Sequence, residues 1–437
     1  MAKIVTQIGW FGQDDIESLQ DLERLRLMLE YMPDSVLIKH LNRERGNGRN
    51  DNPVDAMWNS ILAGVLYQHS SIEELRRDLA RNKDLRRICG FDDGQPVPSK
   101  DAYSRFLKLL IMKREYIHNI FNLLVEALKE AIPDFGKTIA MDSKAIASHA
   151  NKENVNRKKD GRRDLDADRG YKTYKGIDKD GNAWEKVKSW YGYKIHLIVD
   201  AKYELPVDFM VTKASKPDIL TGHKLVDDLS KKHPDILNKK NGRCHEMSAD
   251  KGYDDGKLIK KLYDEFHVKP IIDIRNMWKD DETKQLTGKE NIVYDYKGNT
   301  YCYDSHGTRR LMVNGGFDSS RNTQRKLCPA MAKGVPCGDC GHCPVGSGVR
   351  IGLDEDRRVF TPIDRTSYKW EKCYAKRTSV ERVNSRVDCL YGFEKHFIRG
   401  QEKMDTRCSI ALVVMLALAY ARAKENRIED MRRFTVA

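Results

Sequence analysis

Residues 138–146 read TIAMDSKAI and residues 247–255 read MSADKGYDD. Each is a short, strand-like apolar run that ends on an aspartate, Asp142 in the first and Asp250 in the second. Around them strands alternate with helices. Residues 193–199 place Tyr193, Ile195, Leu197 and Val199 on one face, with 205–211 as the partner strand. Helical patterns follow at 218–230 and 255–266, then a strand at 270–273. Strands interleaved with helices predict an α/β layer. Carboxylates at strand ends of such a sheet face the crevice where ligands bind. Gly252 allows a sharp turn after Asp250, and Asp254 is placed to cap the next helix. Asp200, Asp208 and Asp273 also lie at or near strand positions and compete for the same role.

Outward from this core the periodicity changes. Residues 1–135 predict an all-helical domain. Leu19, Leu22, Leu25, Met28 and Leu29 recur at helical spacing, 55–67 and 72–79 repeat the pattern, and Pro96 and Pro98 precede a final amphipathic stretch at 103–132. Arg76, Arg77, Arg81, Arg86 and Arg87 suit this domain to DNA, although a plain helical module reads equally well. Residues 151–189 are polar and predict a surface loop or a segment that orders on binding. Polar turns over 275–356 interrupt the α/β layer as an inserted cysteine-rich subdomain, and helices return at 371–387 and 406–425. The expected division is therefore 1–135, 136–274, 275–356 and 357–437.

Composition narrows the classes. Of 437 residues, 40% are apolar and 33% charged, and 30 Gly with 13 Pro exclude collagen-like and low-complexity chains. With 78 Lys+Arg against 65 Asp+Glu the net charge is +13, which points to a polyanionic partner. Residues 357–437 hold 18 Lys+Arg and 10 Asp+Glu, a local excess of 18 − 10 = 8. The opening MAKIVTQIGWFGQDD has no apolar leader, and the apolar run 410–421 is short for a bilayer span. A soluble, cytoplasmic protein without membrane association is expected.

Hard divalent cations take oxygen ligands, and two ions about 4 Å apart can activate an attacking oxygen and stabilise a leaving one. A third carboxylate, Glu381, sits in YAKRTSVERVNSR, where Tyr374, Arg377 and Glu381 are spaced Y-x2-R-x3-E. On one continuous helix these three share a face, and Arg377 with Glu381 could equally form an i,i+4 surface ion pair. Together with SRFLKLL (104–110) and GYKIHLIVDAKYELPV (192–207), these motifs resemble the insertion-sequence DDE transposases. The resemblance is to the group with a Tyr-Arg-Glu-Lys signature, and it spans about residues 15–425. It implies a ribonuclease H-like catalytic core behind an N-terminal helical domain. It further implies a catalytic triad of Asp142, Asp250 and Glu381 holding two Mg²⁺ or Mn²⁺ ions, cleavage at transposon ends, strand transfer into target DNA, and a homodimer on DNA. Tyr374, Arg377, Arg382, Arg386 and Lys395 would contact DNA. The signature lysine would fall at position 388, which here is Asp388, so Arg386 or Lys395 would have to replace it. Two other outputs are compatible with these motifs: a metal-dependent nuclease without strand transfer, and a captured, non-catalytic DNA-binding regulator.

Cys328, Cys337, Cys340 and Cys343 give C-x8-C-x2-C-x2-C, flanked by Gly and Pro. Overlapping C-x2-C steps predict a structural Zn²⁺ site, with Cys302 or His342 able to replace one ligand. An iron–sulfur cluster or free thiols are the alternatives. A zinc hydrolase is disfavoured, because four thiolates close the coordination sphere. Cys89, Cys244, Cys373, Cys389 and Cys408 are scattered and read as packing residues. Basic surfaces at 157–163, 371–395 and 422–433 could meet phosphates. Tyr171, Tyr174, Trp184, Trp190, Tyr191 and Tyr193 could stack on bases or pair across strands.

Overall fold

The computed structural model describes residues 20–46, 51–92, 94–150, 164–179, 182–339, 342–393 and 396–432. Lys395, Cys340 and the basic run 157–163 lie outside the described residues. The chain forms two compact units, one from 1–135, 143–217 and 380–437, the other from 136–142 and 218–379. Strand β1, Thr138–Ala147, contributes its first half to the second unit and its last half to the first.

Among the described residues the first unit opens with seven helices: Gln20–Glu30, Ser35–Arg45, Val54–Leu66, Ile72–Arg81, Lys83–Cys89, Lys100–Met112 and Arg114–Ala131. Local chemistry sets their starts. Ser71 accepts from the Glu74 backbone N–H at 3.3 Å, while the Glu74 carboxylate takes the Ser70 N–H at 2.7 Å, a reciprocal cap. Asn82 and Ser99 cap the helices that follow them. Gln20–Glu30, Val54–Leu66, Lys100–Met112 and Arg114–Ala131 pack against Gln401–Lys424, in which every residue from Cys408 to Ala419 is buried. That helix begins ahead of the predicted 406, just after Gly400. By length and composition it could cross a membrane, but 83% of its apolar window is buried inside the fold, as in a core helix.

The segment 168–189 departs from its predicted loop. Strands β2 (Asp168–Ile177) and β3 (Ala183–Asp200) pair antiparallel from Asp168↔Gly192 to Ile177↔Ala183, and β4 (Leu205–Lys213) pairs with the second half of β3. Two glycines make the hairpin possible. A Cβ on Gly170 would come within 2.4 Å of the Trp190 ring, and one on Gly176 within 2.6 Å of the Trp184 ring. Each indole thus lies over the glycine opposite it, covering backbone that would otherwise be bare. These Gly–Trp pairs stabilise strands that carry few apolar residues. The second half of β3 is buried on both faces, since His196 and Ile198 are as enclosed as Tyr193, Ile195, Leu197 and Val199. One-sided alternation was the sequence expectation there.

Asp200 and Asp208 are spent on this hairpin. Asp200 accepts from Lys202 N at 2.8 Å and Tyr203 N at 2.6 Å in the turn, and Asp208 accepts from Phe209 N at 2.9 Å. Buried Glu204, at φ 56, closes the turn and receives both Arg382 and Arg386 from helix Thr378–Tyr391. Arg382 Nε is 2.7 Å from its Oε1, and Arg386 Nη1 adds a bond to the Glu204 carbonyl at 3.1 Å.

The second unit holds three parallel strands, the first half of β1, β5 (Glu246–Ala249) and β6 (Lys269–Ile272). Helices Asp218–Lys232 and Gly256–Lys260 accompany them, the latter continuing as a π turn through Glu265. Helix Tyr368–Ala375 packs through Trp370 and Cys373 onto Ile271 and Ile363. The insertion consists of a four-stranded and a three-stranded antiparallel sheet around Ile292, Tyr294, Ile351, Leu353 and Phe360. Within it Lys326 is fully buried, donating to Asp364 and to the Gly298 carbonyl.

Glu204 predicts a stability effect. Burial pushes its carboxyl up, but hydrogen bonds and charge from Arg382 and Arg386 outweigh burial and hold it below the usual 4.5. A lowered native pKa contributes stability that is present above the ordinary value and lost as pH falls through the lowered one. Glu204→Gln should cost about 3 kcal/mol near neutral pH, read as a fall in thermal midpoint, because two guanidinium groups lose their partner. The difference from wild type should shrink below the ordinary glutamate pKa.

Candidate active site

The register of the parallel strands builds the site. β1 and β5 run in step, with Met141 opposite Ala249 as their last pair. Asp250 directly follows β5, whereas Asp142 lies within β1, one residue past that pair, because the strand runs on to Ala147 instead of ending at Asp142 as its apolar run predicted. β6 aligns Ile272 with Ala249 and is followed by Asp273, whose N–H reaches the Ala249 carbonyl at 3.4 Å. Asp142, Asp250 and Asp273 therefore take the same register position on three adjacent strands, one residue past their last parallel pairs. Asp273 was one of the competitors by sequence. Its register beside β5 distinguishes it from Asp200 and Asp208, and pairing of that kind has no signature in a single chain.

Asp250 is held by its own turn. Its Oδ1 accepts from the Gly252 N–H at 2.8 Å. A Cβ on Gly252 would lie 2.7 Å from that oxygen, and no positive φ is involved. The glycine is needed for close approach of the carboxylate, rather than for the sharp turn expected.

Asp254 does not cap the following helix. That helix begins at Gly256, so Asp255 is its cap and accepts from Leu258 N at 2.9 Å. Asp254, with no exposed side-chain surface, instead takes Arg275 N at 2.8 Å and Arg358 Nε at 2.9 Å. It is a structural clamp beside the site.

Arg377 approaches Asp142, with Nη1 3.7 Å from Oδ2. Its guanidinium lies 5.6 Å from the Tyr374 ring centre, and Tyr374 stacks on Trp370 at 4.6 Å and 11°. Burial, and then the charge of Asp273, push the Tyr374 hydroxyl up to about 12. Tyr374 is thus a neutral, half-buried shelf that positions Arg377 over the carboxylate edge.

The helix expected over 371–387 is interrupted. It ends at Ala375 and resumes at Thr378, with a turn at Lys376 and Arg377. Three-residue hydrogen bonds tighten this turn, from Lys376 N to Cys373 O at 3.2 Å and from Arg377 N to Tyr374 O at 2.9 Å. The Thr378 hydroxyl donates to the Ala375 carbonyl at 2.9 Å. Side chains of this type compete with helix backbone. Tyr374 and Arg377 belong to the second unit, with Asp142 and Asp250. Glu381 lies in the first turn of Thr378–Tyr391, in the first unit, where it is exposed. There it lines a cavity of about 530 Å³ with Lys144, Asn384, Ser385 and Asp388. Of the expected DNA contacts, Arg386 and Arg382 are bonded to Glu204.

In the insertion, Cys302, Cys328, Cys337 and Cys343 line one cavity of about 320 Å³. His342 is not among its lining residues. Burial pushes the Cys302 thiol up, and Cys328, Cys343 and Cys337 add to this. Among the described residues no three His, Cys, Asp or Glu side chains are gathered closely enough to hold an ion.

A family model described as "Transposase DDE domain" matches residues 133–417, and one described as "Transposase domain (DUF772)" matches residues 14–109. No curated protein matches the chain. A cryo-EM structure of a piggyBac transposase synaptic complex with hairpin DNA aligns with 95% of this chain and 79% of that one. The identity is 12% and the TM-score 0.38.

Two aspartates four residues apart should behave oppositely. Asp254→Ala removes a buried acceptor from two donors and should cost about 3 kcal/mol of stability by thermal or urea unfolding. Asp250→Asn should stay within about 1 kcal/mol of wild type. Equal losses would contradict the separation of clamp from site.

Proposed function

The chain belongs to the DDE transposase family of DNA-cleaving and strand-transferring enzymes, and on that premise we propose that Asp142, Asp250 and Glu381 are its catalytic carboxylates. The observation that carries the proposal is the emergence of Asp142 and Asp250 from adjacent parallel strands, beside Arg377. A ribonuclease H-like core belongs to the same reading. It is supported by the parallel β1, β5 and β6 in one unit and the antiparallel β3 and β4 in the other.

The donor set fits divalent Mg²⁺ or Mn²⁺, since aspartates side by side offer hard oxygens and a net negative charge. Two such ions, when bound, supply activation of the attacking oxygen and stabilisation of the leaving one. The protein's own residues prepare the site. The Gly252 N–H fixes one Asp250 oxygen, leaving the other to point its lone pairs elsewhere. Arg377, braced on Tyr374 and Trp370, carries a planar fork suited to a phosphate oxygen. The reaction is two displacements at phosphorus. Water breaks the phosphodiester at the element end and frees a 3′-hydroxyl, and that hydroxyl then attacks a target phosphodiester, forming the new P–O bond as the target's P–O3′ bond breaks and a target 3′-hydroxyl leaves. No enzyme nucleophile takes part. A homodimer on paired ends is part of the same proposal.

For the insertion we propose a structural Zn²⁺ held by thiolates of the cluster. Cys302 is a more fitting partner than His342, because it shares the cavity with Cys328, Cys337 and Cys343. The Val345 N–H, 3.4 Å from Cys343 Sγ, suits a thiolate knuckle. Metal analysis by mass spectrometry should find about one zinc per chain. Cys302→Ser should lose it, and His342→Ala should keep it.

The catalytic proposal is tested by nicking and joining on a supercoiled plasmid carrying candidate element ends, in Mg²⁺, Mn²⁺ or EDTA. Asp142→Asn, Asp250→Asn and Glu381→Gln should each lower cleavage about a hundredfold or more while the folded protein is retained. Cleavage without a joined product would instead support a nuclease. Unchanged cleavage in any of the three variants would remove that residue from the triad.

A further inference from the structure

The cavity lined by Glu381 holds a cation at a place the sequence did not single out. Glu381, Asn384, Ser385 and Asp388 recur at i, i+3, i+4 and i+7 on helix Thr378–Tyr391 and all line it. Lys144, from the second half of β1, enters from outside the helix, and its Nζ donates to the Asp388 carboxylate. It is the one cation among the described lining residues. Both partners keep a little surface, with 19% and 18% of their side chains exposed, so the pair sits at the cavity wall rather than in the core.

We propose that Lys144 is a DNA-contacting residue of this transposase, binding a backbone phosphate in the cavity it shares with Glu381, with Asp388 as its tether. This rests on the reading of Glu381 as a catalytic carboxylate. Three features support it. Lysine carries three donors and no acceptor, so one bond to Asp388 leaves donor capacity directed at the cavity. The ion pair fixes a side chain that would otherwise lose much rotamer freedom on binding. The sequence holds an acid at 388, the position where the resemblance places a lysine, and the structure sets Lys144 against that acid. Of the residues of the same segment, Arg386 is engaged by Glu204.

The probe is a fluorescently labelled, mixed-sequence DNA duplex, bound by the full chain in Ca²⁺ over a range of KCl concentrations. Lys144→Met should weaken binding about tenfold at moderate salt and reduce the slope of log affinity against log salt by about 0.9, the loss of one phosphate contact. Lys144→Arg should retain both. Asp388→Asn should leave the slope at its wild-type value, because it removes only the tether. The double variant Lys144→Met with Asp388→Lys should recover the slope, since it returns a cation to the same wall, and this holds the test open if Lys144→Met folds poorly. A wild-type slope in Lys144→Met, or an equal loss of slope in Asp388→Asn, would overturn the proposal and leave a structural ion pair. These binding readouts need no cleavage. If Glu381→Gln left cleavage intact while Lys144→Met lost its salt dependence, the catalytic reading of Glu381 would fail and the phosphate contact would stand.

Discussion

Two carboxylates of the same sign leave adjacent parallel strands at one edge, and this constraint governs how the rest of the site is arranged. Strand register brings Met141 opposite Ala249, so Asp142 and Asp250 follow one another across the sheet without any loop to separate them. Like charges so placed repel, and the arrangement persists where cations face it. Arg377 supplies one positive charge near Asp142, and the Gly252 N–H takes one Asp250 oxygen. Neither supplies the charge density of a divalent ion, the ligand proposed for this edge.

The surrounding charges are sorted by what they hold. Glu204 gathers Arg382 and Arg386 onto the turn between β3 and β4, and Asp254 gathers Arg358 and the Arg275 backbone. Both are buried acids held by protein donors, two of them on Asp254 Oδ2, so their work is architectural. The acids proposed for chemistry differ. Glu381 is exposed, and Asp142 and Asp250, one within β1 and one just after β5, are only partly buried. Lys144 and Asp388 fall between these cases, ion-paired yet bordering a cavity. An interior clamp and a ligand site thus use the same residue types, and burial together with donor supply tells them apart.

Much of this was legible in the sequence because it is local. The runs TIAMD and ADKGYD are apolar and then acidic within a few residues, which is enough to place Asp250 at a strand end and Asp142 on a neighbouring strand, though β1 continues past Asp142 to Ala147. The helical N-terminal region follows from its apolar spacing. The misreadings share a cause: each depends on a partner distant in sequence or on one competing bond. The 168–192 hairpin is polar, and what makes it a hairpin is Trp190 and Trp184 lying over Gly170 and Gly176 across the strands. The helix break at Lys376 and Arg377 comes with a tightened turn and one threonine hydroxyl, within a segment whose periodicity looks continuous. The cap shifted from Asp254 to Asp255 because Arg275 and Arg358, remote in sequence, claim Asp254. Lys144 against Asp388 spans almost 250 residues, and no spacing rule could have joined them.

The central claim is that the Asp142–Asp250 edge is a divalent-cation site. The most direct measurement is Mn²⁺ binding to the intact protein without DNA, followed by the electron paramagnetic resonance signal of free Mn²⁺. Wild type should deplete that signal in a saturable way, and the Asp142→Asn, Asp250→Asn double variant, folded as judged by its thermal midpoint, should lose this binding. Equal saturable binding by both proteins would contradict the account.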